Sequence, residues 1–269
     1  MAVELGSAQT GAKPVTLMSP KAKLGLPDQI TACLFDLDGV LTETAKVHAA
    51  AWKEMFDAFL KDRAAKSGEV FVAFDAKREY DTYVDGKTRL EGTRSFLASR
   101  NIMLPEGSSD DRKGMETING LANAKNAIVN QKIKEEGVEA YSGSVRYVQA
   151  VRSAGLHTAV VSSSANCAKV LKSAGISELF ETRIDGVSVV EQHLAGKPAP
   201  DTFLAAARIL NTPPEQAAVF EDALAGVEAG RAGGFGFVIG VDRVGHAAEL
   251  RAHGADIVVT DLSQLLASP

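Results

Sequence analysis

The stretch Ile30-Thr31-Ala32-Cys33-Leu34-Phe35-Asp36-Leu37-Asp38-Gly39-Val40 decides the fold. It opens on an apolar run, Ala32 to Phe35, and breaks abruptly into two aspartates and a glycine. A segment apolar at every position, not at alternate ones, is what a strand buried on both faces shows, and such strands build parallel sheets covered by helices. Three later segments have the same character: Thr158-Ala159-Val160-Val161 before Ser162, Ala217-Ala218-Val219-Phe220 before Glu221-Asp222, and Phe235-Gly236-Phe237-Val238-Ile239. Asp256-Ile257-Val258-Val259 supplies a fifth. Between them Tyr147, Val148, Val151 and Ala154, and later Phe203, Ala206, Ala207 and Leu210, recur at helical spacing. Strands alternating with helices imply right-handed crossovers. The expected class is therefore α/β, a doubly wound parallel-sheet core of Rossmann-like type.

From Thr44 to Glu136 the pattern changes. Trp52, Phe56, Phe59 and Leu60 fall at i, i+4, i+7 and i+8, charged helical segments follow, and no buried strand interrupts them. An α-helical cap domain inserted over residues 44–136 is expected, with hinges near Glu43-Thr44 and Gly137-Val138 and the core formed by residues 29–43 and 137–269. Residues 1–28 mix Gly, Pro, Ser and Lys without a continuous apolar run, so they read as a flexible leader and not as a secretory signal.

Bulk properties narrow the function. The 269 residues carry a net charge of -5, which argues against a nucleic-acid binder. No segment approaches the roughly 20 apolar residues of a membrane helix. Only Cys33 and Cys167 are present, so no disulfide scaffold is expected and a cytoplasmic location fits. A monomer is the default expectation; the sequence itself is silent on assembly.

In a doubly wound sheet, ligands bind beyond the carboxyl ends of the strands. That rule gathers Asp36 and Asp38, the serines Ser162, Ser163 and Ser164, Lys197, and the pair Glu221-Asp222. Taken singly, each has a bland reading as a cap or turn residue. Together, the carboxylates would repel one another strongly without a cation, and hard oxygen donors suit Mg²⁺. The expected metal ligands are Asp36, Asp222 and the carbonyl of Asp38, with Glu221 beside them. With Lys197 and a metal neutralising charge, an aspartate can attack phosphorus while the Ser162 hydroxyl binds a phosphoryl oxygen. Asp38, two residues on along an extended segment, would share the nucleophile's face and move the proton. Gly86-Lys87-Thr88 lacks the preceding strand and wider glycine spacing of a nucleotide-binding loop.

Phe35-Asp36-Leu37-Asp38-Gly39-Val40-Leu41-Thr42 resembles the first motif of the haloacid dehalogenase superfamily of phosphotransferases; Ser162, Lys197 and Glu221-Asp222 resemble its second, third and fourth. The resemblance spans Ile30 to Leu266 and implies that Asp36 is the nucleophile, Asp38 the general acid/base and the insert a helical cap. Thr42-Glu43-Thr44-Ala45 with His48 and Trp52, Lys125-Asn126, Tyr141-Ser142-Gly143 and Gly196-Lys197-Pro198-Ala199-Pro200-Asp201 are most similar to the β-phosphoglucomutase-like subfamily. By that resemblance Thr44 and His48 couple the hinge to Asp38, Arg89 grips the phosphate not being transferred, Ser164 and Asn166 contact phosphate or sugar, and Lys125 and Asn126 face the sugar. The bland alternatives are a surface or capping His48, a solvated loop Arg89 and an exposed helical Lys125. The sequence departs from the subfamily at Glu43, at Ala165 where a lysine is expected, and in extra residues around Lys61–Lys77. The implied activity converts β-D-glucose 1-phosphate to glucose 6-phosphate, on a small phosphorylated sugar and with Mg²⁺. The alternatives are a phosphatase on a small phosphate monoester and a catalytically silent phosphosugar binder.

Overall fold

The computed structural model describes residues 21–267. Six strands form one sheet, all neighbours parallel: β1 (Ala32–Phe35), β2 (His157–Val161), β3 (Thr182–Ile184), β4 (Ala217–Glu221), β5 (Phe237–Val241) and β6 (Ile257–Val259). Their order across the sheet is β3-β2-β1-β4-β5-β6. The strand read first in the sequence is thus central, with Ala32 in register with His157 on one side and Ala217 on the other.

Both faces of β1 are covered, which is why its four residues are all apolar and inaccessible. Cys33 and Phe35 join a core with Tyr147, Val148 and Val151 of α4 (Ser142–Ser153) and Val170 of α5 (Cys167–Ser173). Ala32 and Leu34 join a second core on the opposite face with Phe203 and Ala206 of α7 (Asp201–Ile209) and Ala229 of α8 (Leu224–Ala232). Phe35 stacks on Phe220 at 4.4 Å between ring centroids. Each such buried aromatic contributes about 1.5–3 kcal/mol by removal from water. The short helices α6 (Gly186–Glu191) and α9 (Ala247–Ala252) complete the layers.

The sheet differs from expectation in two places. Strand β3 has no apolar signature: it is three residues long, lies at the sheet edge and is only partly buried. Strand β5 begins at Phe237, two residues later than the apolar run suggests. Phe235 instead packs edge-on against Phe203 at 5.9 Å, and Gly236 lies so close to Glu215 that a Cβ would sit 2.0 Å from the Glu215 carbonyl oxygen.

Residues 1–20 of the expected leader lie outside the described residues, but Lys21–Asp28 pack onto the core. Leu24 and Leu26 are buried, and the Tyr147 hydroxyl donates to the Leu24 carbonyl at 2.9 Å. Two leucines in a polar stretch suffice to anchor it, a detail that composition hides.

Residues 44–136 form α1 (Ala45–Ser67), α2 (Arg89–Ser99) and α3 (Ile118–Glu136), with a π-helical turn at Tyr80–Val84. They carry their own apolar core, built on Trp52, Phe56, Phe59, Phe96 and Leu121 and separate from the sheet cores. The extra residues after α1 return Phe74 to this core, where its N–H donates to Asp57 at 2.8 Å. Helix α2 starts where Thr88 accepts from the Glu91 N–H and donates to the Glu91 carboxylate, a local cap that fixes the adjacent Arg89. The two crossings run side by side: Glu43 N–H donates to Glu139 O and Tyr141 N–H to Leu41 O, both at 3.0 Å.

Candidate active site

The carboxyl ends of β1 and β4 face the helical insert, and the chain turns sharply there. Asp36 N–H still donates to Phe220 O at 2.9 Å, in the manner of the sheet. At Leu37 the extended conformation ends: Leu41 and Thr42 N–H both return to Leu37 O, at 2.9 and 3.0 Å. The turn, not strand alternation, therefore carries Asp38 to the same cavity as Asp36. Gly39 makes the turn possible. Its φ is +86°, and a Cβ there would lie 1.7 Å from Asp222 Oδ2.

Lys197 sits beneath this floor, fully buried. Its ammonium donates to Asp36 Oδ1 at 2.5 Å, Glu221 Oε1 at 2.6 Å and Val161 O at 3.0 Å, which uses all three of its protons. The remaining Glu221 oxygen accepts from Ala223 N–H at 2.9 Å. Oxygens of Asp36, Glu221 and Asp222 lie within 4.8 Å of one another. Burial raises the Asp36 carboxyl above its ordinary range and Lys197 pulls it back, while Asp38 pushes it further up. Asp222 is held well above the carboxylate range by burial and then by the charges of Asp85, Glu221, Asp36 and Asp38. One lysine, already committed, leaves this cluster short of positive charge. An oxygen-only donor set with excess negative charge, in a space cleared by a glycine, fits a hard divalent cation.

Asp38 is held from the hinge side. Thr44 donates to its carboxylate, and Thr44 is in turn paired with Thr42 at 2.8 Å between hydroxyl oxygens. His48 Nε2 lies 3.6 Å from Asp38 Oδ1, and the Ser162 hydroxyl also bonds this carboxylate. Burial raises Asp38 above the usual range, which favours the protonated form that a general acid needs. Ser162 is buried behind the cavity wall and accepts from Ser164 N–H at 3.1 Å.

The helical insert supplies the roof. Arg89, Lys125 and Asn126 line the same cavity as Asp36, Asp38, Ser164, Asn166 and Asp222. Lys125 is 5% exposed, so it is no surface lysine; its ammonium lies 2.9 Å from His48 Nδ1 and 4.8 Å from the centre of the Trp52 ring. Burial lowers its pKa to about 7, and burial with the Lys125 charge holds His48 well below the imidazole range. Arg89, at the first turn of α2, has its Nε buried without a hydrogen-bond partner.

Roof and floor touch directly. Asn166 donates to Asn126 Oδ1 at 2.9 Å, and the Ser163 hydroxyl donates to the Gly86 carbonyl at 2.6 Å. Tyr80 and Asp85 are site residues that sequence reasoning missed, for both stand in a polar stretch with no local signature of function, whereas Ser163 belongs to the serine cluster that the strand-end rule gathers. Ala165, where the resemblance expects a lysine, also lines the cavity, so the second-motif loop contributes no positive charge to it.

Comparison with known proteins agrees with this geometry. The haloacid dehalogenase-like hydrolase family matches residues 30–234. The chain belongs to that family. It is 56% identical over 246 residues to β-phosphoglucomutase of Mycobacterium bovis, covering 90% of this chain and 94% of that protein. It is 29% identical to β-phosphoglucomutase of Bacillus subtilis over 87% of this chain and 91% of the other. The crystal structure of β-phosphoglucomutase from Clostridium difficile superposes with a TM-score of 0.67 at 28% identity, covering 88% of this chain and 93% of that one. The six-stranded parallel sheet with flanking helices is thus the family's fold. Within the family this chain resembles the phosphosugar mutases over nearly their full length.

Proposed function

We propose that the protein is a Mg²⁺-dependent β-phosphoglucomutase that interconverts β-D-glucose 1-phosphate and glucose 6-phosphate through a phosphoryl group carried on Asp36. The observation that carries this reading is Arg89: a guanidinium nitrogen buried without a partner, across one cavity from the Asp36 and Asp38 carboxylates. A buried unpaired donor is costly unless a ligand satisfies it, and a guanidinium fork suits phosphate. A cavity with an anion-seeking roof and a phosphoryl-accepting floor matches a sugar that carries phosphate at both ends.

Asp36, Asp222 and the Asp38 carbonyl would hold the cation, with Glu221 adjoining. Bound there, Mg²⁺ would offset the charge gathered by the carboxylates and the phosphoryl oxygens. Phosphorylated Asp36 gives its group to the free hydroxyl of the bound sugar phosphate, while Asp38 takes the hydroxyl proton. The sugar bisphosphate turns over in the cavity; Asp36 then accepts the other phosphoryl group, and Asp38 returns the proton to the departing oxygen. Lys197 keeps Asp36 ionised for attack. Arg89 retains the far phosphate, and the closed contacts Ser163–Gly86 and Asn166–Asn126 keep water from competing with the sugar hydroxyl.

Residues 29–43 and 137–269 act as the core and residues 44–136 as the moving cap. Two buried free cysteines fit a reducing cytoplasm, and the enzyme is taken as a monomer. Among the described residues no helix is long and apolar enough to cross a membrane.

The test is an assay of β-D-glucose 1-phosphate in Mg²⁺ with glucose 6-phosphate and inorganic phosphate measured in parallel. Glucose 6-phosphate accumulating without equivalent free phosphate is expected. Stoichiometric phosphate release would make the enzyme a phosphatase instead.

A further inference from the structure

Asp85 belongs to the helical insert, yet it lines the cavity with Asp36, Asp38 and Asp222 of the sheet. It follows the π-helical turn at Tyr80–Val84 and is bonded by the Tyr80 side chain. The next residue pins it in place. Gly86 takes a φ of +69°, its carbonyl accepts from Ser163, and a Cβ there would lie 2.9 Å from the Ala223 Cβ. The turn is therefore clamped between the second-motif loop and the residue after Asp222, so Asp85 has no room to withdraw while the roof is closed. Among the carboxylates acting on Asp222, the charge of Asp85 weighs most. Glu221 and Asp36 act on Asp85 in turn. No ion pair to Asp85 is found among the described residues, and Lys197 is committed to Asp36 and Glu221.

We propose that Asp85 is a cap-borne residue of the cation site: closure adds its negative charge to the core carboxylates, so closure and cation binding strengthen each other. Asp85 lies outside the group of oxygens that close to within 4.8 Å, which contains Asp36, Glu221 and Asp222. Its place is accordingly beyond the ligand atoms, where it would act by charge. The coupling is reciprocal by thermodynamic necessity: whatever factor closure adds to cation affinity, the cation adds to closure. Without a cation, the closed form sets a fifth carboxylate, Asp85, against Asp36, Asp38, Glu221 and Asp222, and an open roof relieves that repulsion.

This inference rests on the cation reading of the site, and the experiment separates the two. Mg²⁺ alone is titrated by calorimetry into metal-free wild type, Asp85→Asn and Asp222→Asn, while small-angle scattering follows compaction. Asparagine keeps the shape and an acceptor for Tyr80. Wild type is expected to bind Mg²⁺ and compact, Asp85→Asn to bind about tenfold more weakly and to be compact already without metal, and Asp222→Asn not to bind. Absence of binding to wild type would overturn the cation reading itself. Wild-type binding with Asp85→Asn within twofold of it would overturn the role of Asp85 alone. Should Asp85→Asn not fold, the wild-type scattering decides: no compaction on adding Mg²⁺ overturns the coupling, and compaction supports it.

Discussion

The Lys125 ammonium lies 2.9 Å from His48 Nδ1, so a cap lysine and a hinge-proximal histidine share a hydrogen bond directly above Asp38. Two adjacent cations would be unstable there, and the histidine is the partner held neutral. Neutral His48 accepts from Lys125 on Nδ1, which leaves Nε2 as the protonated nitrogen facing Asp38. That nitrogen is buried without a hydrogen-bond partner, 3.6 Å from Asp38 Oδ1.

Lys125 should set the alkaline limb of substrate capture. Its pKa is lowered to about 7 by burial, so its charged, phosphosugar-binding form is lost as pH rises through that value. The expected result is kcat/KM falling above about pH 7. Lys125→Met should lower kcat/KM about 10- to 100-fold, mainly through KM, and flatten that limb. An unchanged limb in the variant would assign the titration to another group.

Lys197 should matter for folding as much as for turnover. It is wholly buried against Asp36 and Glu221, at 2.5 and 2.6 Å. Replacing it by methionine strands two carboxylates in the interior, at a cost of about 3–5 kcal/mol. Urea unfolding should show this as a lower midpoint with unchanged m-value. A loss below about 1 kcal/mol would mean that the pair is solvated in the native protein.

Metal removal should destabilise the protein increasingly as pH rises. Asp222 has its folded pKa raised above the ordinary value. Its protonated form therefore supports the metal-free fold fully below the ordinary carboxylate pKa of about 3.9, and that support is lost on going up through the raised value. Mg²⁺ replaces the missing proton, so the Tm difference between Mg²⁺ and EDTA should widen as pH rises above the ordinary carboxylate range. Scanning fluorimetry measures it directly. A difference constant with pH would place the cation away from Asp222.

The core was legible in the sequence because its signals are local. Continuous apolar strands ending in Asp36 and Glu221-Asp222 announce both the sheet and the edge at which ligands collect, and the helical spacing of Trp52, Phe56 and Phe59 announces a separate apolar core. Lys197 is legible too, since it recurs in order with the other clusters. Strand β3 and the anchoring of Leu24 and Leu26 were hidden: one is three partly exposed residues, the other two leucines among polar neighbours. Asp85, and the contact of Ser163 with Gly86, were hidden for a different reason. Their significance arises only when two separately packed units meet, and no window of sequence contains that contact. Asp38 does share the cavity of Asp36 as expected, and the turn that follows it depends on Gly39, whose close approach to Asp222 no window of sequence contains.

Asp36 as the carrier of the phosphoryl group is tested most directly by trapping it. Wild type and Asp36→Asn, each with the Asp38→Asn change to slow onward transfer, are mixed with β-D-glucose 1,6-bisphosphate in Mg²⁺, quenched in acid and analysed by peptide mass spectrometry. The mass of one phosphoryl group should appear on the peptide containing Asp36 in the first protein and on no peptide of the second. A phosphoryl group found on another side chain, or undiminished without the Asp36 carboxylate, would contradict the account.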